Sequence, residues 1–565
     1  MLLKSLFLVI STITAQAKAD SLAIQAELQL GQPAYQVDAA SDLQDQLNGA
    51  AAGQCSPSGI PAPQLDGASI LAVLASPVVN YTLPDQSASS SIAPIQFCNV
   101  TVKHTHPGWH DTITTTVWLP LSRWNGRFVG TGGRGYAMRY GDDTLAQEVA
   151  QGRAVVATDG GHDPTEVLVA GPWAWNSSGK VNYPLLQDFA YVALNDAAII
   201  GKAVAASFYG QAPKYSYWNG CSTGGRQGLM LAQKYPTAYN GILSIAPAIY
   251  WSSMVPGDFW PYFLMQKYNT VIPPCVVNKI TQGAIAACDG LDGVKDGIIG
   301  NPRICSFNPR TLINQTVSCG DLGNATITFN HTVIMQQIWA GPKTTVRNGF
   351  LMWYGFNQDT PFTISPNVVN TACTGSLSNC TATPFPISQD WLRYWIYQNA
   401  SMDVSHLTDT QYRRAMSFSK DTFSSILDTS EPNLSAFKAA GGKIISWHGL
   451  SDQLIPPQGT EKYYNAVEFL DPKVRDFYRY FEAPGVDHCA LHDNIVGPVP
   501  TTAFDDLLLW VENGTAPETL SAVSKDGSRK RELCQYPMVS VYNKSRAMDP
   551  RRSEAFDCLA SFPLT

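Results

Sequence analysis

The sequence has little of three things: apolar runs long enough to cross a membrane, clustered basic charge, and closely spaced cysteines. After the N-terminus, no segment has the uncharged apolar length that spans a bilayer. Basic residues form one tight run, Arg529-Lys530-Arg531, which fits a solvated loop better than a processing site. The chain has 38 basic against 45 acidic residues, so nucleic acid is not an expected partner. No Cys-x-x-Cys pair occurs among the 12 cysteines, which argues against zinc and thiol-redox sites.

The N-terminus has the three parts of a secretory signal peptide. Lys4 supplies a positive region, residues 6–15 supply an apolar core, and Ala17-Lys18-Ala19 gives the small-x-small pattern of a cleavage site. We assign residues 1–19 to the signal, with cleavage after either alanine. Without the two lysines of the signal, the 38 basic residues become 36 against 45 acidic ones, a net charge of about −9. The sequence therefore predicts a secreted, extracellular protein without a membrane anchor.

Cysteine count and glycosylation sequons fit that compartment. An even number of cysteines in an oxidising environment favours disulfides over metal thiolates. Asparagine sequons mark acceptor sites for N-glycans on exposed loops, and they occur at Asn80, Asn99, Asn176, Asn314, Asn324, Asn330, Asn379, Asn399, Asn433, Asn513 and Asn543. We therefore predict a disulfide-bonded glycoprotein.

Short buried strands alternate with helices through much of the chain. "IQFCNVTVKHTH" and "DTITTTVWLPL" alternate apolar and polar residues on either side of Pro107-Gly108, as paired strands do. Glycine-bounded strands follow in "RFVGTGGRG", "RAVVATDGG", "YSYWNG" and "GILSIAPA", and helical stretches cover 183–210 and 224–236. This alternation predicts a mainly parallel sheet covered by helices, which is an α/β fold.

The alternation stops at about residue 246 and resumes at about residue 435. Tryptophans, prolines, cysteines and sequons crowd the stretch between these points. "GGKIISWHGLSDQLIPP" then restores a buried strand, and a helix and the strand of "DFYRYFEAPGVDHC" follow. The economical interpretation is one catalytic α/β domain, formed by 20–245 and 435–565 and interrupted by an inserted domain at 246–434. We find no internal repeats.

His104, His106 and His110 lie around the first predicted hairpin at a spacing that metal ligands also use. We favour a polar strand end and its turn, on the expectation that no acid or cysteine completes a site.

The stretch "NGCSTGG" (219–225) carries the Gly-x-Ser-x-Gly pattern of a nucleophile elbow, a serine on a sharp strand-to-helix turn. Ser222 follows a predicted strand and precedes a predicted helix, and Gly220 and Gly224 leave room in the turn. A serine hydroxyl also needs a base, and the base needs an acid that fixes its tautomer. In this context Ser222 is the predicted nucleophile, in preference to a chance match in a glycine-rich chain.

The acid and the histidine are expected in that order, on loops after later strands. Asp452 follows "KIISW" and His488 follows "FYRYF", so we predict Asp452 as the orienting acid and His488 as the general base. His448 ends the same strand as Asp452 and is the rival base, which we interpret as a structural residue or pocket wall. Asp487 adjoins His488, so its side chain is expected to point elsewhere.

Ester hydrolysis also needs backbone N–H groups that stabilise an oxyanion. Thr223 is expected to supply one, and the loop "GTGGRG" (130–135) the other, through Gly132 or Gly133. The loop also matches the Gly-x-Gly-x-x-Gly pattern of dinucleotide sites. No clear helix opens at Gly135 and no acid cleanly ends a βαβ unit after it, so an oxyanion loop is favoured.

Cysteines flank both predicted catalytic side chains. Cys221 precedes Ser222 and Cys489 follows His488. If the triad forms, the Cα atoms of these cysteines must be near enough for a disulfide. Such a bond would hold nucleophile and base in register. The alternative is that the disulfide only stabilises a secreted fold, and the bond could have both roles.

With these features the sequence resembles the tannase/feruloyl esterase family of secreted hydrolases. The resemblance covers nearly all of the mature chain and rests on "YWNGCSTGGRQG", "WHGLSDQLIPP" and "PGVDHC". It implies an α/β-hydrolase fold with a large inserted lid domain, with Ser222, Asp452 and His488 as the triad. It also implies the disulfides Cys221–Cys489, Cys55–Cys98, Cys275–Cys288, Cys305–Cys319 and Cys534–Cys558, leaving Cys373–Cys380.

The calcium site of that family's lid falls on "CDGLDGVKDGII" (288–299). Three aspartates in a glycine-rich loop suit Ca²⁺, but their spacing is not that of a helix-loop-helix site, so the residues alone favour a solvated acidic turn. The resemblance implies a structural Ca²⁺ held by the side chains of Asp289, Asp292 and Asp296 and by the carbonyls of Val294 and Ile298.

We predict a serine carboxylic ester hydrolase that cleaves phenolic, hydroxycinnamoyl-type esters through an acyl-enzyme. The phenolic substrate class is implied by the resemblance, and "CSTGGRQG" favours feruloyl esterases over tannases that act on galloyl esters. "DFWPYFLMQKY" and "LMWYGF" fit either a pocket wall or the lid core. The alternatives are an esterase or acyl transferase for a small metabolite, and a non-catalytic binding protein. The oligomeric state is not predicted.

Overall fold

The computed structural model describes residues 54–82, 93–344, 349–493 and 495–560. The predicted signal peptide lies outside the described residues. The strands of this part of the chain are β1 (Ser69–Tyr81), β2 (Ile95–Thr105), β3 (Ile113–Pro120), β4 (Arg127–Thr131), β5 (Ala154–Thr158), β6 (Tyr215–Cys221), β7 (Gly241–Ile245), β8 (Thr316–Ser318), β9 (Asn324–Thr326), β10 (Thr371–Cys373), β11 (Cys380–Ala382), β12 (Lys443–Gly449), β13 (Tyr478–Ala483), β14 (Thr519–Val523), β15 (Lys530–Cys534), β16 (Val539–Tyr542) and β17 (Phe556–Leu559).

Nine of these strands form one mixed sheet in the order β1-β2-β3-β5-β4-β6-β7-β12-β13. β1, β2, β3 and β5 pair in antiparallel fashion. From β5 to β13 all neighbours are parallel. The carboxyl ends of β6, β12 and β13 therefore lie at the same edge of the sheet, which places the loops that carry Ser222, Asp452 and His488 near one another.

The helices are α1 (Asp142–Ala150), α2 (Gly171–Ala174), α3 (Tyr183–Ala190), α4 (Val192–Tyr209), α5 (Thr223–Lys234), α6 (Trp251–Gly257), α7 (Trp260–Lys267), α8 (Pro274–Cys288), α9 (Phe329–Ala340), α10 (Pro386–Asp390), α11 (Asp409–Leu427), α12 (Ser435–Ala439), α13 (Gln458–Leu470) and α14 (Ala503–Asn513). The apolar residues of α4 and α5 pack in one core cluster, and those of α1 and α14 pack in a second. The sheet lies between these layers, as expected of an α/β fold.

The predicted hairpin is confirmed as β2 and β3, and the predicted parallel strands as β4, β5, β6, β7, β12 and β13. The helical stretch 183–210 is two helices, because Tyr191 between them leaves the helical region with φ −160°. β1 and the two-stranded ribbons β14–β15 and β16–β17 were not predicted.

The described residues between β7 and β12 add no strand to the main sheet. They form helices α6 to α12 and two small ribbons, β8–β9 and β10–β11. Their aromatic side chains pack on each other: Trp391 and Trp395 are fully buried, with ring centroids 4.8 Å apart. Trp260 and Phe263, from "DFWPYFLMQKY", stack on the buried Tyr412. These aromatic side chains therefore form a core of the inserted segment.

Six disulfides are present, and two of the expected pairings are wrong. Cys275 bonds to Cys319 and Cys288 bonds to Cys305, with Cα atoms 5.3 and 5.5 Å apart. Cys275 and Cys288 lie at opposite ends of α8, and thirteen residues of α-helix separate them by roughly 20 Å, too far for a disulfide. The pairings that are confirmed are Cys55–Cys98, Cys221–Cys489, Cys373–Cys380 and Cys534–Cys558.

Within the described ranges, no single helix has the length and apolar character to cross a membrane. By length and composition alone, the pair Tyr183–Ala190 and Val192–Tyr209 meets that test together, with a bend of 57° between them.

Candidate active site

Ser222 lies on a tight turn between β6 and α5. Its backbone has φ +62°, a conformation that non-glycine residues adopt rarely and that marks functional sites when it occurs. The N–H of Ser222 donates to Ile245 O at 2.9 Å, which ties the turn to the end of β7. A Cβ on Gly220 would lie 2.5 Å from Gly224 C, so the turn excludes a side chain there. The structure is that of a nucleophile elbow.

Tyr140 and Gln227 hold this elbow, and sequence reasoning did not identify either of them. The Tyr140 hydroxyl donates to Cys221 O at 2.7 Å and accepts from Cys221 N at 3.0 Å. Burial raises the pKa of Tyr140 to about 12, so it stays a neutral donor. Gln227 Oε1, on α5, accepts from the N–H of Gly133 at 2.9 Å. Both side chains thus fix the 132–140 loop against the serine turn.

Asp452 and His488 are hydrogen-bonded, as predicted. His488 Nδ1 lies 2.7 Å from Asp452 Oδ2, and both residues are buried. The backbone N–H groups of Leu454 and Ile455 donate to Asp452 Oδ1 at 2.8 and 2.7 Å. Burial opposes ionisation of Asp452, but His488 and His448 outweigh it and hold the pKa of this carboxyl below its usual range. Asp452 is therefore an anion that fixes the ring of His488.

The two rival residues, His448 and Asp487, have other positions than His488 and Asp452. His448 Nε2 lies 3.1 Å from Asp452 Oδ2, and its Nδ1 lies 2.9 Å from Thr460 Oγ1. His448 is fully buried and contacts the Asp452 carboxylate from within the protein, where it does not line the cavity. The Asp487 carboxylate instead contacts His492 Nδ1. Both placements agree with the sequence interpretation.

One apolar cavity contains Ser222 and His488. Trp251, Met254 and Phe385, from the inserted segment, line it as well. The Ser222 hydroxyl and the His488 ring are not hydrogen-bonded in this conformation, and in enzymes such bonds often tighten only when substrate is bound. The Cys221–Cys489 disulfide, with Cα atoms 6.1 Å apart, joins the residues adjacent to them. The cavity therefore has a serine and an imidazole that face an apolar space.

The structure does not favour Gly132 and Gly133 as oxyanion donors. The N–H of Gly132 donates to Asn219 O at 3.1 Å, and that of Gly133 donates to Gln227 Oε1. The N–H groups of Thr223 and Gly135 have no acceptor among the described residues, and both residues line the cavity. Gly135 belongs to the same 130–135 loop as the predicted glycines, and sequence reasoning could not show which N–H groups of that loop are already occupied.

The residues of the expected calcium loop lie close together in the inserted segment. Asp289 Oδ1 accepts from the N–H groups of Asp296 and Gly297 at 3.0 and 3.1 Å. Burial raises the pKa of Asp292 to about 7, and the charges of Asp296 and Asp289 add to this effect. Arg531 compensates in part through an ion pair with Asp296 at 2.8 Å. Half-buried, mutually repelling carboxylates with flexible glycine spacing fit Ca²⁺, and none of these residues lines the cavity.

The interpretation of His104 and His106 requires a correction, because Asp111, five residues after His106, and two acids distant in sequence complete their cluster. His106 Nδ1 lies 2.6 Å from Asp111 Oδ2, and its Nε2 lies 3.2 Å from Asp196 Oδ2. The carboxyl of Asp188, on α3, lies 3.9 Å from His106 Nδ1. Ligand-type atoms of His106, Asp111 and Asp188 all lie within 4.8 Å of one another. Both ring nitrogens of His106 already contact a carboxylate, so the cluster is a buried network of polar side chains.

This fold and this site define an α/β hydrolase with an inserted lid. The family model described as "Tannase and feruloyl esterase" matches residues 98–557. The chain belongs to the tannase and feruloyl esterase family.

Relatives and solved structures agree on that placement. A probable feruloyl esterase of Arthroderma benhamiae is 38% identical over 88% of this chain and 93% of its own length. A tannase of Aspergillus oryzae is 27% identical over 86% of this chain and 89% of its own. The structure of a tannin acyl hydrolase from Aspergillus niger superposes with a TM-score of 0.79, at 25% identity, over 90% of this chain and 95% of that one. The protein is a carboxylic ester hydrolase of the feruloyl esterase and tannase type.

Proposed function

We propose that the protein hydrolyses phenolic esters of the hydroxycinnamoyl type, with Ser222 as nucleophile, His488 as general base and Asp452 as the orienting acid. One observation carries the proposal: the His488–Asp452 hydrogen bond of 2.7 Å directs the other ring nitrogen of His488 toward the cavity that Ser222 lines. Because Asp452 accepts from Nδ1, His488 presents Nε2 as the base.

The reaction has two steps. His488 Nε2 takes the proton of Ser222 Oγ as the oxygen attacks the ester carbonyl, and then gives that proton to the leaving alcohol oxygen. The resulting acyl-enzyme is cleaved by water, which His488 deprotonates in the same way. We propose that the N–H groups of Thr223 and Gly135 stabilise the oxyanion of each tetrahedral intermediate.

The substrate class rests on the lining of the cavity and on the relatives. Trp251, Met254 and Phe385 offer apolar and aromatic surface for a flat acyl group. The relative with 38% identity is a probable feruloyl esterase, which favours a hydroxycinnamoyl group. Galloyl esters are the second candidate, because a tannase is among the relatives.

Two further properties are part of the proposal. Six disulfides fit an oxidising compartment, and with the signal-like N-terminus they support secretion of an N-glycosylated protein. The chemistry of the acidic loop supports a structural Ca²⁺ held by Asp289, Asp292 and Asp296 with the carbonyls of Val294 and Ile298. This ion would stiffen the loop and takes no part in the ester chemistry.

The experiment measures kcat/KM for methyl ferulate and methyl gallate with purified parent and variants. Ser222→Ala should lose at least about 1,000-fold on both esters, because removal of a triad nucleophile costs several orders of magnitude. Ser177→Ala, at an exposed serine whose loss keeps the Asn176 sequon, is the matched control and should keep parental activity. His488→Gln should be as damaging as Ser222→Ala, whereas His448→Gln should keep measurable turnover. Parental turnover by Ser222→Ala would refute the mechanism.

A further inference from the structure

Asp258 lines the cavity that contains Ser222 and His488, yet the proposed reaction does not use it. It directly follows helix α6 and is 3% exposed. Its Oδ1 is buried and has no hydrogen-bond partner among the described residues. A buried polar atom without a partner costs free energy in the empty protein, so a ligand that supplied the missing partner would be favoured.

Four other polar side chains of the cavity either have partners within the protein or are assigned to the reaction. The Tyr140 hydroxyl is bonded to the backbone of Cys221, and Thr223 Oγ1 donates to Gly135 O at 2.7 Å. Ser222 and His488 are assigned to the reaction. Asp258 Oδ1 and Trp251 Nε1 differ from these, because both are buried without a hydrogen-bond partner among the described residues. Of the two groups, only the carboxyl can both donate and accept a hydrogen bond.

Asp258 also has a specific position relative to the apolar lining. Trp251, Met254, Val255 and Asp258 all line the cavity at the spacing i, i+3, i+4 and i+7, which places them on one face of a helix. The N–H of Asp258 donates to Met254 O at 2.8 Å, so the helical geometry extends to Asp258. This face presents aromatic and aliphatic surface that ends in a single carboxyl.

The surroundings of Asp258 favour the neutral form of its carboxyl. Burial raises its pKa well above the usual range, and the negative charge of Asp452 raises it further. A neutral carboxyl offers one O–H donor and one carbonyl acceptor. A phenolic hydroxyl likewise donates one hydrogen bond and accepts another, so the two groups are complementary.

We propose that Asp258 is a specificity-determining residue that hydrogen-bonds a hydroxyl on the aromatic ring of the acyl group. The inference rests on the proposed function and extends it, since it names the feature of the substrate that the lid recognises. Sites built to bond a substrate hydroxyl discriminate strongly against the analogue that lacks it. The enzyme should therefore prefer hydroxylated rings to bare rings of the same shape.

The test compares kcat/KM for matched esters that differ in ring hydroxyls. Methyl 4-hydroxycinnamate is paired with methyl cinnamate, and methyl gallate with methyl benzoate, so the two pairs separate hydroxycinnamoyl from galloyl recognition. In the parent, at least one hydroxylated ester should exceed its bare partner by at least about tenfold. Asp258→Leu should reduce that ratio to near one while turnover of the bare ester is kept. Asp258→Asn should keep most of the ratio, because a carboxamide still donates and accepts.

The outcomes separate this inference from the proposed function. A parent that hydrolyses the esters without preference for either hydroxylated ring overturns the role of Asp258 and leaves the triad proposal standing. An Asp258→Leu variant with the parental ratio overturns it as well. Where Asp258→Leu does not fold, Asp258→Ala is measured in its place with the same criterion. A parent that hydrolyses simple acetate esters but none of the four aromatic esters overturns both the substrate class and the inference.

Discussion

Asp188 is a buried carboxyl on α3 that lies beside the carboxyl of Asp111 and the ring of His106. Burial raises its pKa to about 9, and the charges of Asp111, Asp196 and Asp159 add to this effect. His106 is the basic group that faces it, at 3.9 Å, and His106 already contacts Asp111 and Asp196. The folded protein therefore holds a proton on Asp188 at neutral pH, which the unfolded chain releases above its ordinary pKa of 3.8.

This bound proton predicts how stability depends on pH. Because the folded state binds the extra proton, the Asp188 contribution to the free energy of unfolding falls as pH rises from about 4 to about 9, by up to about 1.4 kcal/mol per pH unit. Asp188→Asn removes the titration, so the variant should lose less stability than the parent between pH 5 and pH 8. We expect a higher Tm than that of the parent at pH 8, measured by thermal unfolding.

The same substitution at the exposed Asp66 is the control for that measurement. It should leave the pH dependence of Tm unchanged. If Asp188→Asn were less stable than the parent at both pH values with an equal slope, the carboxyl would be a stabilising anion and the assignment of its proton would be refuted.

At the scale of elements, sequence patterns identified the strands and the elbow, but not their partners in three dimensions. Glycine-bounded buried strands and the Gly-x-Ser-x-Gly turn have local signals, and β4 to β7, β12 and β13 are where the pattern placed them. The pairing of Cys275 with Cys319 has no local signal, because it depends on how α8 runs through the lid. Asp188 and Asp196 near His106 were missed for the same reason, since they come from α3 and α4, whereas Asp111 was present in the local sequence and was overlooked.

The Cys221–Cys489 disulfide connects the serine elbow to the histidine turn, two elements 268 residues apart in sequence. Closing a loop of that length stabilises the fold by about 5 kcal/mol in the chain-entropy model, against about 2 kcal/mol for the 7-residue loop of Cys373–Cys380. The first bond also fixes the neighbours of Ser222 and His488. We expect the double variant Cys221→Ser/Cys489→Ser to lower both Tm and kcat/KM, the latter by at least about tenfold at temperatures well below its Tm, because small misplacements of reacting groups are costly.

The double variant Cys373→Ser/Cys380→Ser is the matched control, since it also removes one disulfide from the same chain. It should show a smaller loss of Tm and parental kcat/KM. Equal activity losses in the two double variants would mean that the Cys221–Cys489 bond has only a general stabilising role.

At the scale of the whole molecule, the inserted lid is attached to the α/β domain by charge as well as by apolar packing. Arg303 pairs with Glu482 on β13 and with Glu461 on α13, the latter at 2.8 Å. Ser451, next to the catalytic acid, donates to Asp359 of the lid at 2.7 Å. The existence of an insertion could be predicted from the break in the strand-helix alternation. The attachments between lid and α/β domain could not be predicted, because each joins residues about a hundred or more positions apart. Their side chains have no distinguishing local pattern.

The acidic loop of the lid adds a third attachment, through the ion pair of Asp296 with Arg531 at 2.8 Å, and it supports the last prediction. Three carboxylates repel one another there. An ion that binds only the folded loop should therefore stabilise the protein by an amount that grows with the logarithm of its free concentration. We expect excess chelator to lower Tm by several degrees and added Ca²⁺ to restore it, since about 2.7 kcal/mol corresponds to ligand at 100 times its Kd.

Asp292→Asn should abolish the response to Ca²⁺, whereas Asp321→Asn, at an exposed acid of the same lid, should keep it. Because none of the loop residues lines the cavity, kcat/KM measured well below Tm should change little on chelation. A Tm that is the same with chelator and with millimolar Ca²⁺ would show that no Ca²⁺ binds and that Arg531 alone compensates the negative charge of the loop.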